Sequence, residues 1–405
     1  MNYQEILDYL FSQLPMYQND GIISYKKDIN NITEASNRIG KPHKKFKSIH
    51  ITGTNGKGST SNIIASILKE AGYKVGLYTS PHLKDFRERI RINGGMIAKD
   101  EVENFVIKNK KLFKELKMSF FEMTVLMAFD YFAKKKIDIG VIEVGLGGRL
   151  DSTNIITPEL AIITNISIDH TNILGSDIKE IAKEKFGIIK NNIPVVIGRK
   201  QKEIEKVFLN ICKRKNSRII YSKKNKDIKY TCDLKGDYQK ENINTSITAI
   251  KELIKQGWNI SEENIINGLR RCTANTGIKG RWQILQKEPL IICDTAHNQE
   301  GIKSVIKQIK KTKYKKLHFV LGLVNDKEIN SILSLLPKKA IYYFCNADIN
   351  RALDSKILEE KSKKYDLYGK KHLSVRGALK SAKEEANKDD LIFISGSTFV
   401  VAEII

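Results

Sequence analysis

The stretch from Phe46 to Thr60 constrains the fold of this chain more than any other. An apolar run, Phe46 to Ile51, enters the turn Thr52-Gly53-Thr54-Asn55-Gly56-Lys57-Gly58-Ser59-Thr60, and a helical pattern follows at once. In that pattern Ile63, Ile64, Ile67, Leu68 and Ala71 share one face, and Gly72 is a good C-terminal stop. Glycines beside a lysine let backbone N–H groups crowd round phosphate oxygens without Cβ interference. Lys57 adds a point charge, and the helix N-terminus adds its dipole. Ser59 or Thr60 offers a hydroxyl for a magnesium ion. The spacing departs from the strict phosphate loop, since Ile51 stands where that loop has its first glycine. The stretch predicts nucleotide binding on a strand–loop–helix unit, weighed against a plain strand–helix turn.

Further apolar runs repeat the arrangement. Val75–Thr79 ends in Ser80-Pro81-His82. Ile139–Val144 carries Glu143 near its carboxyl end, ahead of the glycine-rich Gly145–Asn154. Leu160–Ile166 is followed by Asp169-His170-Thr171. A carboxylate inside Val-Ile-Glu-Val is costly unless a cation or hydrogen bonds receive it. In a doubly wound parallel sheet the carboxyl ends lie on one edge, where ligands bind. The Gly53–Thr60 loop, Ser80, Glu143 and His170 therefore converge by topology alone. A helix is expected from Asp177 to Lys190, with Ile178, Ile181, Ala182, Ile188 and Ile189 as its stripe. Lys185 falls on that buried side. A buried lysine snorkels, pairs with an acid or loses its proton, and a neutral amine can be carbamylated into a metal-ligating carboxylate.

Helices are expected at 2–14 and 27–39, joined by a loop-like link at Gly21–Lys26. Another opens at Ser119-Phe120-Phe121-Glu122 and carries Met123, Leu126, Met127, Tyr131 and Phe132 as core. Leu83–Met96 reads as a long loop with Arg87, Glu88, Arg89 and Arg91, either a binding loop or a solvated run. Residues 193–232 read as short strands with basic connectors. Leu234–Asn242 starts a helix that continues through Ile254, and Cys272–Gly280 reads as an interdomain linker. Beyond Gly280-Arg281-Trp282 the alternation resumes: strand 290–293 capped by Asp294–Asn298, helix 299–311, strand 317–321, helix 327–336, strand 341–345, helices 354–364 and 374–387, strand 391–395. This is a second α/β unit.

The length of 405 residues predicts two or three domains, and 41% hydrophobic residues suit a globular enzyme. No apolar run is long enough for a transmembrane helix, and the N-terminus lacks a signal-peptide pattern. Five scattered cysteines with no CxxC pair point to a reducing cytoplasm and away from a cysteine-rich zinc site. The net charge of +24 is dispersed along most helices rather than gathered in one arm, so no nucleic-acid partner is expected. Steering of small polyanions is the alternative use of that charge.

The ordered set of motifs resembles the folylpolyglutamate synthase branch of the Mur-ligase superfamily, including its bifunctional form that is also a dihydrofolate synthase. The likeness runs over nearly the whole chain. It includes Leu7–Phe11, the Gly-Thr-Asn-Gly-Lys-Gly-Ser loop, Thr79–Leu83, Phe120–Glu122, Glu143–Asp151, Ile168–His170 and Glu184-Lys185. It continues through Gly236–Asn242, Gly280-Arg281, Asp294–Asn298 and Ser395–Ser397.

The resemblance implies an α/β fold with a Mur-ligase-like N-terminal ATP-binding domain over 1–276, holding a mostly parallel sheet and the phosphate loop. A smaller Rossmann-like α/β domain would cover 277–405. Thr54, Asn55, Gly56, Lys57, Gly58 and Ser59 would hold ATP, with Asn242, Arg281, Asp294 and His297 completing that site. Two Mg2+ ions are implied: Ser80 and Glu143 hold one, and His170 helps bind the second with Lys185, which matches the carbamylated lysine of the family. Lys57, Lys185 and His170 would be the catalytic group. Phe120, Phe121, Glu122, Asp151 and Ser152 would line the pterin pocket. The implied reaction adds L-glutamate to dihydropteroate and to reduced folates, in a cytoplasmic monomer with no membrane or nucleic-acid partner. Two positions depart from the family: Tyr238 stands where histidine is common, and Phe186 where alanine is. A monofunctional folylpolyglutamate synthase is the nearest alternative. A cell-wall ligase is disfavoured because only about fifty residues precede the loop and Gly58, not threonine, follows the lysine. A basic ATPase acting on nucleic acid predicts steep salt dependence. Intact Lys57, Glu143, His170 and Lys185 disfavour an inactive binding module.

Overall fold

The structure is a computed structural model that describes residues 2–12, 28–223, 230–325 and 329–405. The chain divides into two compact units: Met1–Asp233 with Gln239–Gly277, and Leu234–Tyr238 with Ile278–Ile405. The expected division at 276/277 thus differs by one residue there, while the five residues Leu234–Tyr238 join the second unit. The linker reading of Cys272–Gly280 is corrected in part, because Cys272–Thr276 forms a short helix of the first unit. Asn275 anchors it, donating to Ser66 Oγ (3.0 Å) and Glu70 Oε1 (2.7 Å).

In the first unit the strands are β1 Lys47–Thr52, β2 Val75–Tyr78, β3 Ile90–Ile92, β4 Gly95–Met96, β5 Ile139–Glu143, β6 Leu160–Ile163, β7 Val195–Ile197 and β8 Ile219–Tyr221. They form one sheet in the order β4-β3-β2-β5-β1-β6-β7-β8. From β2 to β8 the pairings are parallel, with Ile51 beside Glu143 and Ile49 beside Leu160. The β2–β3 and β3–β4 pairings are antiparallel. The loop expected over Leu83–Met96 is therefore corrected: it holds the turn Phe86–Arg89 and the β3–β4 hairpin. Asn93 and Gly94 make the hairpin turn, both at positive φ. An Asn-Gly pair directly after a strand of alternating apolar residues is a strong hairpin signal, and here the polar arginines masked it.

The helix Lys57–Glu70 is buried at every position from Ser59 to Leu68. Only a helix covered on both sides needs no polar face. One side lies on the sheet and the other meets the helices Gln239–Lys255 and Glu262–Arg270. Gly268 allows that crossing: a Cβ there would fall 2.5 Å from Ile67 Cα. Helices Lys99–Glu115, Lys202–Arg214 and Glu262–Arg270 were not expected. The second of them corrects the strand-and-connector reading of 193–232; its buried side chains Ile204, Phe208 and Cys212 sit at helical spacing among charges. The helix expected over 177–190 ends at Phe186, where Gly187 backs against the Arg149 backbone. Helices Tyr3–Ser12 and Asn30–Arg38 match the first two expected, while the Gly21–Lys26 link lies outside the described residues.

In the second unit β9 Gln283–Lys287, β10 Leu290–Cys293, β11 Leu317–Leu321, β12 Ile341–Cys345, β13 Gly369–His372 and β14 Leu391–Ser395 form a sheet in the order β13-β12-β11-β14-β10-β9. All pairings but β10–β9 are parallel. Alternate residues serve two cores: Phe319, Phe344 and Phe393 on one face, Val320, Tyr343 and Ile394 on the other. That is the period of two in a sheet covered by helices on both sides. Strands β9 and β13 were not expected, since both lie at sheet edges and are largely polar. Of the helix expected over 327–336, Ile329–Leu333 is present, and its first two positions fall outside the described residues. No described helix is long and apolar enough to cross a membrane.

Candidate active site

Four neighbouring parallel strands, β2-β5-β1-β6, end in Ser80, Glu143, the Gly53–Thr60 loop and the segment leading to His170, as topology required. The loop is tied to the residues after β6. Thr54 N–H donates to Asn165 O (2.8 Å) and Asn55 N–H to Asn165 Oδ1 (3.0 Å). Thr164 Oγ1 donates to Asn55 O (2.6 Å), and Ser167 N–H to Thr54 Oγ1 (3.0 Å). Two glycines are required by close approach as well as by positive φ. A Cβ on Gly53 would lie 1.9 Å from Thr164 Oγ1, and one on Gly56 2.2 Å from Asn242 Oδ1. Asn242 Nδ2 in turn donates to Gln239 Oε1 (2.8 Å), and Gln239 Nε2 to Ser59 Oγ (3.1 Å). Both amides are buried, so the start of helix Gln239–Lys255 holds the phosphate loop from above. Gly58 follows Lys57 in the first turn of the loop's helix.

Lys57 Nζ curls back to Gly53 O (3.1 Å) and Thr54 O (3.2 Å). Lys185, 3% exposed, donates to the same Gly53 O at 2.9 Å. Both ammonium groups thus meet on one carbonyl. Burial first, and the Lys57 charge second, pull the Lys185 pKa from 10.5 to about 7, against the opposing pull of Asp169 and Asp151. The departure Phe186 lies buried beside it and packs on Phe208 at 5.2 Å.

Glu143, 4% exposed, closes β5 and accepts from Ser80 N–H (3.2 Å). The charge of Arg89 acts on it. Arg89 is itself buried, donating from Nε to His82 Nδ1 (2.7 Å) and lying 5.2 Å from the Phe120 ring centroid. Burial, then the Arg89 charge, lower the His82 pKa to about 3, so His82 is neutral with Nδ1 as the acceptor. His170 takes a left-handed conformation at φ 50, and its Nε2 stands 3.7 Å from Asp169 Oδ1.

The pterin set divides by what its atoms already do. Glu122 accepts from Ser119 N–H (2.7 Å) and Ser119 Oγ (2.9 Å), completing the capping box of its helix. Asp151 accepts from Leu146 N–H (2.8 Å), Thr153 N–H (3.0 Å) and Thr153 Oγ1 (2.5 Å). Burial raises its pKa against those donors. These carboxylates organise their own loop and helix start. Ser152 is buried in the turn that Asp151 caps. Phe120 lies in the core, while Phe121 is half-buried beside Tyr78 at 6.3 Å.

In the second unit Asp294 ends up buried past β10. It accepts from Trp282 N–H (2.7 Å), Ala296 N–H (2.9 Å) and Tyr238 Oη (2.5 Å). Arg281 binds Thr295 Oγ1, and His297 Nδ1 lies 2.9 Å from Thr295 O. Ser395 Oγ, from neighbouring β14, donates to Asp294 O (2.7 Å).

The oxygen donors of this edge suit a magnesium ion. Ser80 and Glu143 supply the hard oxygens this ion takes, and it commonly binds through one or two carboxylates with the rest from phosphate and water. Among the described residues no group of three or more His, Cys, Asp or Glu converges on a metal position. Lys185 as an ammonium repels a cation, so it fits only as a carbamate. Sequence reasoning missed Asn165, Thr164, Gln239, Arg89 and His82. For Thr164-Asn165 a signal existed, two polar residues directly after an apolar strand. Gln239 lay inside a motif noted for Tyr238 and Asn242.

Comparison with known proteins agrees in two places. Residues 51–269 match the Mur ligase middle domain, and residues 280–398 the Mur ligase glutamate ligase domain. The chain is 32% identical to the Bacillus subtilis dihydrofolate synthase/folylpolyglutamate synthase, covering 91% of both. It is 29% identical to a Haloferax volcanii protein described as a probable bifunctional folylpolyglutamate synthase/dihydropteroate synthase, of whose length the chain spans 50%. Among solved structures, E. coli FolC in complex with DHPP and ADP superposes with a TM-score of 0.87 at 26% identity, over 100% of this chain and 97% of that one. A bifunctional folylpolyglutamate synthase/dihydrofolate synthase with Mn, AMPPNP and L-glutamate bound gives 0.85 at 25%, over 100% and 97%.

Proposed function

Because this chain belongs to the Mur ligase family, in its dihydrofolate synthase/folylpolyglutamate synthase group, it is an ATP-dependent ligase joining glutamate to folates, and we propose that ATP is turned over at the carboxyl edge of β2-β5-β1-β6. The observation that carries this placement is the meeting of the Lys57 and Lys185 side-chain nitrogens on the Gly53 carbonyl, at the mouth of a glycine-rich loop.

In this reading Thr54–Ser59 hold the phosphates through backbone N–H groups and the helix N-terminus. The acceptor's carboxylate attacks the γ-phosphorus, the bond to the bridging oxygen breaks, and ADP leaves an acyl phosphate behind. Lys57 offsets charge on the transferring group. The neutral amine of glutamate then attacks the acyl carbon, loses a proton, and inorganic phosphate departs with the broken C–O bond. Ser80 and Glu143 would hold one magnesium ion, and His170 with carbamylated Lys185 a second; such ions neutralise phosphate charge when bound. Asn242 acts through Gly56 and Gln239, by setting the loop. Arg281, Asp294 and His297 of the second unit are assigned as nucleotide contacts on the family resemblance. Phe121 offers the ring face for a pterin, and Asp151, Ser152 and Glu122 shape the wall beside it. Free thiols at all five cysteines suit a reducing cytoplasm. The working unit in this reading is a monomer.

We assign both acceptors, dihydropteroate and reduced folates, because an aromatic body bearing a carboxylate is common to the two. The test is ATP-dependent incorporation of labelled glutamate with dihydropteroate and tetrahydrofolate supplied separately. Product from both is expected. Extension of tetrahydrofolate without any dihydrofolate from dihydropteroate would reduce the assignment to a folylpolyglutamate synthase, and product from neither would overturn it.

A further inference from the structure

The second unit contains a hydroxyl-to-carboxylate bond at a position where the resemblance leads one to expect histidine. Tyr238 stands where histidine is common, and its hydroxyl donates to Asp294 Oδ2 at 2.5 Å. That length belongs to a charge-assisted O–H···O bond. The ring is held in place by its own segment. A Cβ on Gly236 would lie 2.6 Å from Tyr238 Cε1, so the ring folds back over a position only glycine can occupy. Asp237 N–H donates to Gln308 Oε1 (2.6 Å), and the Asp237 carboxylate meets Lys311 Nζ (2.6 Å), pinning the segment to the end of helix Gln299–Ile309.

The bond decides how Asp294 can be used. A carboxylate has about four lone-pair sites. Oδ2 takes Tyr238 and Trp282 N–H, and Oδ1 takes Ala296 N–H. One site remains, on Oδ1. We propose that Tyr238 is a positioning residue for the nucleotide site: its hydroxyl fixes the Asp294 carboxylate and leaves the remaining acceptor site for a hydrogen-bond donor of ATP. This rests on the assignment of Asp294 as a nucleotide contact.

The charged and titratable groups facing Asp294 are Tyr238, Arg281 ahead of β9, and Cys293 at the end of β10. Burial pushes Asp294 towards protonation, and Tyr238 and Arg281 oppose it. Tyr238 itself is held well above its ordinary pKa by burial and by Asp294, so it stays a donor wherever Asp294 is ionised. A histidine in its place would titrate near neutral pH.

The experiment compares Tyr238→Phe, Tyr238→His and Asp294→Ala in the full-length enzyme. Tyr238→Phe removes the hydroxyl alone. It is expected to raise KM for ATP by about tenfold with kcat within about twofold, the scale of one charge-assisted hydrogen bond. The acid limb of kcat/KM for ATP should move up by about one pH unit, because protonated Asp294 no longer loses a bond to its anion. Tyr238→His, whose imidazole keeps an N–H donor in both charge states, should restore KM. A merely structural role would leave the acid limb where it is. If Asp294→Ala raises KM while Tyr238→Phe changes neither KM nor the acid limb, the proposal is overturned and the nucleotide assignment stands. An unchanged KM in Asp294→Ala overturns the assignment itself. Should Tyr238→Phe fail to fold, a tenfold loss in Tyr238→His at every pH would likewise overturn the proposal, and recovery would support it.

Discussion

Lys185 offers the sharpest quantitative test. At pH 7.5 an ordinary lysine amine is neutral in about one molecule in a thousand, whereas one held near 7 is neutral in roughly three of four. Carbamylation needs that neutral amine, so burial makes Lys185 several hundred-fold better supplied with it than a surface lysine, by about the same arithmetic. Enzyme equilibrated with 13C-bicarbonate should show a carbamate carbon that is absent from Lys185→Ala. Its intensity should fall between pH 8 and pH 6, as the neutral fraction drops from about 90% to about 10%. Ligation should fall with it, and a short carboxylic acid should partly rescue Lys185→Ala. Stability gives an independent reading, taken in bicarbonate-free buffer. Folded Lys185 titrates near 7 and the unfolded residue near 10.5, so between those values the unfolded chain binds the extra proton. The penalty of carrying the charge is full below pH 7 and disappears as pH rises towards 10.5. Three and a half units correspond to an upper bound of about 5 kcal/mol. Lys185→Met should therefore be the more stable protein at pH 6, by urea midpoint, with its advantage shrinking at pH 8.5. Full activity in Lys185→Ala without additives, together with a flat stability difference, would refute the reasoning.

Two further outcomes follow from the first unit. Lys57→Ala should lower ligation at least a hundredfold with an unchanged thermal melt, the scale of a lost transition-state charge contact; near-normal glutamate incorporation would contradict the loop assignment. Gly268→Ala would place a methyl 2.5 Å from Ile67 Cα and should cost about 1–3 kcal/mol of stability, read by denaturant midpoint. An unchanged midpoint would mean the two helices do not cross so closely.

The residues proposed to carry chemistry could be grouped from the amino-acid sequence because parallel topology brings them together. Each strand of a doubly wound sheet delivers its carboxyl end to one edge, and apolar runs are easy to see. Ser80, Glu143 and His170 could thus be grouped with the phosphate loop before any coordinates. The side of the helix on which Lys185 lies followed from spacing alone. What surrounds these residues could not be read that way, since partners in a fold are set by distance in space and not in sequence. Glu122 and Asp151, which the resemblance sets at the pterin pocket, also hold a capping box and their own loop, roles that only the tertiary structure reveals. Arg89 could be read as part of a binding loop or of a solvated run, and it is buried, its charge acting on the buried Glu143 carboxylate. Gln239, Asn242 and Asn165, far apart in sequence, together hold one loop of glycines. The Lys185 amine is ordinary chemistry in the chain. Only the fold, by stripping it of water and setting Lys57 on the same carbonyl, brings its pKa to about 7.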